Sequence, residues 1–469
     1  MGVIARNVPS PCPDEPHEEC GIVAIYSKKG KDVAPYIYRA LMALQHRGQD
    51  AAGLAVYDGK GIEARRGIGL VADVFQGNDL RVRGRIGIGH TRYPTYGECR
   101  LCDVQPMVFR GCAAAHNGHL ANYPELRSDL EKEGFEFMSS VDSEVMAFML
   151  DKAPSIEDAV GGMMKKLEGA YSVASIVNGK LAVFRDPLAL RPLVYGENEE
   201  FICFASESVA LDINGIPYKG DLRGGELAII ENGRVRRTQI APEDARHCMF
   251  EFVYFSRPDS YIDGDSVYAV RTRLGRTLAR EAPAKADLVV PVPDTSRTAA
   301  ASYAAALGIP CEEGLIKNRY IGRTFIMPSQ EKRTDAVTLK LNPVRELVSG
   351  KSVVLIDDSI VRGTTLKEIV ALTRHAGAKE VHLRITCPPL KAPCFYGVDM
   401  SSYGELIANK KTTGEIRQYL GADSLAYISL EGLRESIGLP TCSSCLTGKY
   451  NSDYVGMLAE RVRRSESKK

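Results

Sequence analysis

The segment VVLIDDSIVRGTT (353–365) ends an apolar run on two adjacent carboxylates, Asp357 and Asp358, and follows them with small and hydroxyl residues. In a parallel sheet, ligands bind beyond the carboxyl ends of the strands. The loop after such a strand leads into a helix. Its backbone N–H groups, the helix dipole and the hydroxyls of Ser359, Thr364 and Thr365 can cradle a phosphate there. Gly363 lets the backbone approach closely. Two carboxylates beside a phosphate nest repel it unless a divalent cation or sugar hydroxyls lie between. The segment therefore asks for a phosphorylated sugar with free hydroxyls, together with Mg²⁺. The plainer alternative is an acidic loop capping a helix.

A second constellation starts at EECGIVAIY, where Cys20 follows a short polar leader and directly precedes a strand. Alone, it reads as a buried strand-end cysteine. It is accompanied by QHRGQDAAG (45–53), GHTRYPT (89–95), AHNGHLAN (115–122) and VDSE (141–144). Amide hydrolysis needs a nucleophile, a base and an oxyanion hole. A cysteine at a mature N-terminus supplies the first two, because its own α-amine, with an ordinary pKa of about 7.7–8.0, can take the proton.

Both constellations resemble known families. VVLIDDSIVRGTT is similar to the phosphoribosyl pyrophosphate (PRPP) signature of type I phosphoribosyltransferases. That resemblance implies that Asp357 and Asp358 handle ribose hydroxyls and metal, and that Ser359, Arg362, Gly363, Thr364 and Thr365 hold the 5-phosphate. It extends to VVPVPDTS, which would place Thr295 near Mg²⁺. It also extends to KNRYIGRTFIMPSQ (317–330), a basic segment with Lys317, Arg319 and Arg323 that reads as a lid closing over a polyanion. The Cys20 set resembles the glutaminase domain of class II glutamine amidotransferases, an N-terminal-nucleophile fold. By that resemblance Asn117 and the N–H of Gly118 form the oxyanion hole. Arg92 pairs with the glutamine α-carboxylate, as a fork-shaped guanidinium suits. Asp142 takes the α-ammonium, and Arg47 lies near this pocket. While Cys20 is acylated at its nitrogen its amine cannot act as base, so residues 1–19 are expected to be a propeptide that is removed.

Residues 20 to about 450 together resemble the glutamine phosphoribosylpyrophosphate amidotransferase family, and CMFEFVYFSRPDSYIDG (248–264) matches its junction. The resemblance implies the first committed step of de novo purine synthesis: glutamine and PRPP give 5-phosphoribosylamine, glutamate and pyrophosphate. It further implies a dry passage for ammonia, purine nucleotides as feedback inhibitors, and a tetramer or dimer. The alternative function is a regulatory protein that senses PRPP without transfer. A third reading is a transferase that uses ammonia alone, with an inactive glutaminase half.

CSSC (442–445) has a metal-chelating spacing. By itself it leaves open zinc, a cluster or unrelated thiols. Cys248 and Cys394, with Cys442 and Cys445, match the iron–sulfur branch of the family, which implies one [4Fe–4S] cluster with a structural role. Cys99 and Cys102 form a second CxxC that departs from the family pattern and is assigned no role. Cys112, Cys203, Cys311 and Cys387 stand in apolar settings and read as core, and Cys12 belongs to the leader.

The elements that must position these residues differ between the halves. Residues 20 to about 230 read as short strands with glycine turns, interrupted by helices near 33–44 and 143–152, which suggests stacked antiparallel sheets. Residues 265 to about 430 alternate strand and helix, as a doubly wound parallel sheet does. In the latter, Leu366, Ile369 and Val370 mark a helix that Gly377 ends. The expected fold is thus an α+β N-terminal-nucleophile sandwich (20–240) followed by an α/β type I phosphoribosyltransferase domain with a cluster-binding C-terminal segment (241–450). A charged tail is expected over 451–469.

Composition bounds the rest. The 469 residues are long enough for two domains, with 44% hydrophobic and 25% charged residues, as in ordinary globular proteins. A net charge of +1 gives no field that favours nucleic acid or membrane in general. No apolar run approaches the ~20 residues of a membrane span, and the N-terminus lacks a secretory core, so a cytoplasmic location is expected. Twelve cysteines are too dilute for a disulfide scaffold.

Overall fold

The computed structural model describes residues 20–93, 100–318 and 341–467. Its first half is a sandwich of two antiparallel sheets. The seven-stranded sheet has Gly21–Ser27 between Phe201–Ala205 and Ile86–Arg92, with Ala51–Tyr57 beyond the latter. The six-stranded sheet has Gly169–Val177 between Lys180–Arg185 and Cys112–Leu120. Ile22 and Ala24 from one sheet meet Ala113, Ala115 and Ile176 from the other in one apolar layer. Each strand sends alternate residues into that layer. The opposite faces are covered by helices. Ala34–Ala43 lays Ile37 and Leu41 on the first sheet, and Ser143–Lys152 and Ile156–Lys166 lie over the second.

Sequence periodicity marks two helices in this half, at 33–44 and 143–152, and both are present. Tyr123–Lys132 and Ile156–Lys166 are additional. The first buries only Leu130, so its sequence carries little apolar rhythm.

In the second half four parallel strands, Leu288–Pro291, Ser352–Asp357, Glu380–Ile385 and Ser424–Tyr427, pair in that order. Their residues divide between two cores. Val289, Val354 and Ile356 pack on the side of helices Val267–Glu281 and Arg297–Leu307, and Val353, Leu355 and Leu383 pack against helix Thr364–His375. Both faces are therefore covered, which is why these strands are continuously apolar. Helix Thr364–His375 buries Leu366, Ile369 and Val370, and Gly377 follows at φ +101°.

The two halves share a core. Helix Ala34–Ala43 belongs to the same apolar cluster as Met249–Val253 and Val270. The chain then returns to the first half. Thr441–Cys442 pairs in parallel with His247–Cys248, and a helix over Asp453–Glu466 lies beyond. This corrects the expectation of a charged tail from 451. Ser452 accepts the Val455 N–H, and Val455 and Ala459 are buried four residues apart. Val455 joins Ala121, Ala170, Leu190 and Tyr396 in a small cluster. The many charges around it conceal a stripe this narrow. No helix among the described residues is long and apolar enough to cross a membrane.

Candidate functional site

Cys20 stands at the start of the central strand of the first sheet. Pairing of Gly21 with Thr91 sets it beside the end of the Arg92 strand. It is half-buried, and its Sγ lies 3.9 Å from the carbonyl oxygen of Tyr93. Arg92 is buried, and one arm of its guanidinium donates to the carbonyl of Asp103.

The second sheet brings Asn117 and Gly118 near the end of strand Cys112–Leu120. Gly118 has φ +142°, and a Cβ there would lie 1.9 Å from the carbonyl oxygen of Ala170, so only glycine fits. Asn117 is 1% exposed, and its amide nitrogen has no hydrogen-bond partner among the described residues. A buried donor left unpaired is unfavourable and calls for explanation. Asp142, just before helix Ser143–Lys152, accepts the Leu120 N–H at 2.9 Å and has His116 and His119 at 3.6 and 3.7 Å. Burial pushes its carboxyl upward. The two histidines and the Leu120 N–H outweigh that and hold it well below the usual carboxylate range. The histidines' closeness to Asp142 is not legible in the sequence.

Arg47 is fully buried, and its guanidinium is engaged by Glu207 and Glu251. Glu207 also receives Ser260 Oγ at 2.6 Å and the Arg257 N–H at 3.0 Å. Neither glutamate is distinguishable from a surface carboxylate by sequence alone. Arg271 is buried below, donating to the carbonyls of Phe252 and Ser256 at 2.9 and 2.8 Å. Burial lowers its pKa to about 10, although Asp358 and Glu207 oppose the shift.

In the second half, strand Ser352–Asp357 delivers the acid pair to its carboxyl end. Asp357 Oδ1 accepts the Asp358 N–H at 2.9 Å and Ser296 Oγ at 3.4 Å. Thr295 Oγ1 donates to Asp358 Oδ2, and Ser359 Oγ donates to Asp358 Oδ1 at 2.8 Å. Gly363, at φ +80°, turns the chain into the helix that begins at Thr364 and Thr365. The sequence motif thus forms the expected strand, acid pair, loop and helix start. Arg362 pairs with Glu405 at 2.8 Å, and Lys317 pairs with Asp294 at 3.2 Å. Arg323 and nearly all of the predicted lid lie outside the described residues.

Cys248, Cys394, Cys442 and Cys445 line one small cavity, with Leu190, Phe250 and Tyr396 around them. Cys248 and Cys442 are strand partners. Burial pushes the Cys394 thiol up to about 11, and burial with the neighbouring thiols raises Cys445 well above its ordinary value. Among the described residues no three His, Cys, Asp or Glu side chains converge as a ready metal site. Cys112, Cys203 and Cys387 are buried, Cys311 is half-buried and Cys102 is exposed, while Cys12 and Cys99 lie outside the described residues.

Comparison with known proteins agrees with this division. Residues 100–212 match the glutamine amidotransferase domain family, and residues 260–396 match the phosphoribosyl transferase domain family. The chain is 49% identical to the amidophosphoribosyltransferase of Methanothermobacter thermautotrophicus, over 95% of this chain and 97% of that one. The chain belongs to the amidophosphoribosyltransferase family. The Bacillus subtilis relative is 44% identical, over 93% and 95% of the two chains. A solved structure of glutamine PRPP amidotransferase from B. subtilis, complexed with ADP and GMP, superposes with a TM-score of 0.88 at 42% identity, covering 93% of this chain and 98% of that one. The chain is thus an enzyme of de novo purine biosynthesis in which a class II glutamine amidotransferase domain precedes a type I phosphoribosyltransferase domain.

Proposed function

We propose that Cys20 hydrolyses glutamine and that the ammonia released displaces pyrophosphate from PRPP held at Asp357–Thr365. The observation that carries the first half is the buried, unpartnered amide nitrogen of Asn117 next to Gly118. Such a donor is ready for an oxygen that acquires charge only in the tetrahedral intermediate. In this reading Cys20 Sγ attacks the side-chain carbonyl of glutamine, and the α-amine of Cys20 takes the thiol proton and passes it to the leaving ammonia. Water then releases glutamate. Arg92 meets the substrate carboxylate and Asp142 its ammonium. Arg47 acts from behind, fixing the 45–50 turn through its two glutamates. The amine is available only once residues 1–19 are removed, and we propose that they are.

Ammonia attacks the anomeric carbon as the bond to pyrophosphate breaks, giving 5-phosphoribosylamine, and the attacking nitrogen loses a proton. Asp357 and Asp358 orient the ribose hydroxyls, and the N–H groups and hydroxyls of Ser359–Thr365 hold the 5-phosphate. Thr295, Asp357 and Asp358 form an all-oxygen donor set that suits Mg²⁺, which when bound would neutralise charge on the leaving pyrophosphate. Lys317 and Arg323 would add cations to the same end. Contact between the halves supports direct transfer of ammonia. A Cβ on Gly397 would come within 3.3 Å of the Gly118 backbone, and the 248–264 junction lies in the shared core. Purine nucleotides, of which ADP and GMP are bound in the B. subtilis relative, are proposed inhibitors. The 5-phosphate loop is the surface where they would compete.

The thiols of Cys248, Cys394, Cys442 and Cys445 fit a [4Fe–4S] cluster. Four sulfur donors share an apolar cavity, where only a strongly cationic group would hold them as thiolates. The cluster would be structural, tying the C-terminal segment to the first half.

Two measurements test these proposals. Cys20→Ala is expected to abolish glutamine-dependent synthesis of phosphoribosylamine while synthesis from ammonium salts persists. Loss of both, in a folded protein, overturns the division of labour. Native mass of protein purified without oxygen is expected to show a chain beginning at Cys20 and carrying four irons and four sulfides. A full-length, metal-free and fully active chain refutes both processing and cluster.

A further inference from the structure

Gly118, the glycine of the proposed oxyanion hole, is backed by chain from the second half. A Cβ on Gly397 would lie 3.3 Å from the carbonyl carbon of Gly118 and 3.5 Å from its Cα. Gly397 takes φ +109°, and the side that would carry a Cβ faces that strand. Strand pairing does little to fix Gly118. Its partner Tyr171 gives its own N–H to Asp186 Oδ2 at 3.1 Å and takes the Asp186 N–H on its carbonyl at 2.9 Å. In an antiparallel ladder a residue bonded to one side exchanges no N–H···O bonds with the residue opposite on the other. The aim of the Gly118 peptide therefore rests on what packs against it. Arg191 holds the two chains together. It is 1% exposed, and its carbonyl accepts Ser172 Oγ at 2.9 Å, where Ser172 is the strand partner of Asn117. Its guanidinium donates through Nε, at 3.1 Å, and through Nη2 to the carbonyl of Tyr396. Its Nη1 stands 3.8 Å from the buried Glu251 of the junction. One side chain thus spans from the strand beside Asn117 to the chain that lies on Gly118.

We propose that Arg191 and Gly397 are positioning residues for glutamine hydrolysis. Arg191 grips the Tyr396 carbonyl and seats Gly397 on Gly118, which keeps the Gly118 N–H aimed at the oxygen of the tetrahedral intermediate. The inference rests on the reading that Asn117 and Gly118 form the oxyanion hole. A donor stabilises that oxygen only at hydrogen-bond distance, and a displacement of about 1 Å can cost about 10² in rate. The carboxylate and ammonium of glutamine are met elsewhere, at Arg92 and Asp142, so loss of this backing spares substrate binding. The glutaminase site is then complete only while the second half lies against it.

Gly397→Ala and Arg191→Lys test this in the full chain, with Asn117→Ala as the reference. Alanine at Gly397 presses on both Gly118 and Arg191, since its Cβ would also lie 3.0 Å from Arg191 Nη2. Lysine keeps the charge beside Glu251 and loses the two-pronged grip. Each substitution is expected to lower kcat for glutamine hydrolysis about tenfold, with the KM for glutamine within about twofold of the parent's. Melting temperature and synthesis from ammonium salts are expected to hold. If Gly397→Ala melts early, Arg191→Lys decides alone. An unchanged kcat in a variant that stays folded, with Asn117→Ala slow, overturns the proposal. So does a KM that rises as kcat falls, the mark of a pocket that has come apart. Asn117→Ala at full rate overturns the oxyanion reading itself, and the proposal falls with it.

Discussion

Arg47 and Glu251, 204 positions apart in sequence, form an ion pair buried between the glutaminase sandwich and the turn that leads into the second half. Glu251 also accepts Ser256 Oγ at 2.8 Å, and Arg271 grips the same turn by its carbonyls. A buried pair contributes little net stability over an apolar substitute, but removing one partner strands the other charge. Arg47→Ala, which leaves the buried Glu207 and Glu251 without their shared guanidinium, is therefore expected to lower the unfolding free energy by about 3–5 kcal/mol, read from urea denaturation. A loss below about 1 kcal/mol, the range of exposed pairs, would show that the pair does not tie the halves together.

Asn117→Ala removes the unpartnered amide without opening a large space. Glutamine hydrolysis is expected to lose about 10²–10³ in kcat, the usual effect of deleting one oxyanion donor, with a much smaller change in KM. Synthesis from ammonium salts should be unaffected. Steady-state kinetics with each nitrogen donor separates these effects. An unchanged kcat with glutamine would remove Asn117 from the oxyanion hole.

Gly363→Ala tests the phosphate loop. A side chain at φ +80° costs about 1–2 kcal/mol of backbone strain, and the new Cβ would press on Ile407 and Leu420 at 3.3 and 3.4 Å. The KM for PRPP is expected to rise at least tenfold, while glutamine hydrolysis in the absence of PRPP keeps its rate. Equal loss in both assays would point to general unfolding instead.

Asp399 provides a pH signature. Burial, helped by Glu405 and opposed by Arg362, pushes its carboxyl up to about 6. An unfolded aspartate titrates near 3.9, so folding favours the protonated form. The stability this group allows is fully present below about pH 4 and is lost as pH rises through about 6. Asp399→Asn, permanently neutral, is expected to match the parent's melting temperature at pH 4 and to exceed it at pH 7.5. Thermal unfolding across that range reads the difference, and a flat difference rules out the raised pKa.

Much of the proposed PRPP loop was legible because it is local. Strand, acid pair, glycine and helix start are contiguous between Val353 and Thr365, and the backbone conformation of such a stretch follows from its own residues. The position of Cys20 immediately before an apolar strand was legible for the same reason, but its proposed role came only from the resemblance carried by the distant segments at 45–53, 89–95, 115–122 and 141–144. The second half's strand–helix alternation also announced its parallel sheet. The C-terminal helix was not legible, because two buried residues among many charges give no periodic signal until Tyr396 and Leu190 are there to receive them.

The sequence by itself determined where two local features lie, a cysteine at a strand start and an acid pair, glycine and hydroxyl loop at a strand end. Resemblance then named Arg92, Asp142, Asn117 and the four cysteines. Tertiary structure alone decided which charges face one another. Arg47 is engaged by Glu207 and Glu251, 160 and 204 positions away, and Asp142 sits beside His116 and His119. It also decided that Cys248, Cys394, Cys442 and Cys445 share a cavity, and that the Tyr171 hydroxyl has no partner among the described residues. The physical reason is range. Propensity and hydrophobic period act over a few neighbouring residues. Burial of a charge or a hydroxyl depends on groups that only the folded chain brings near.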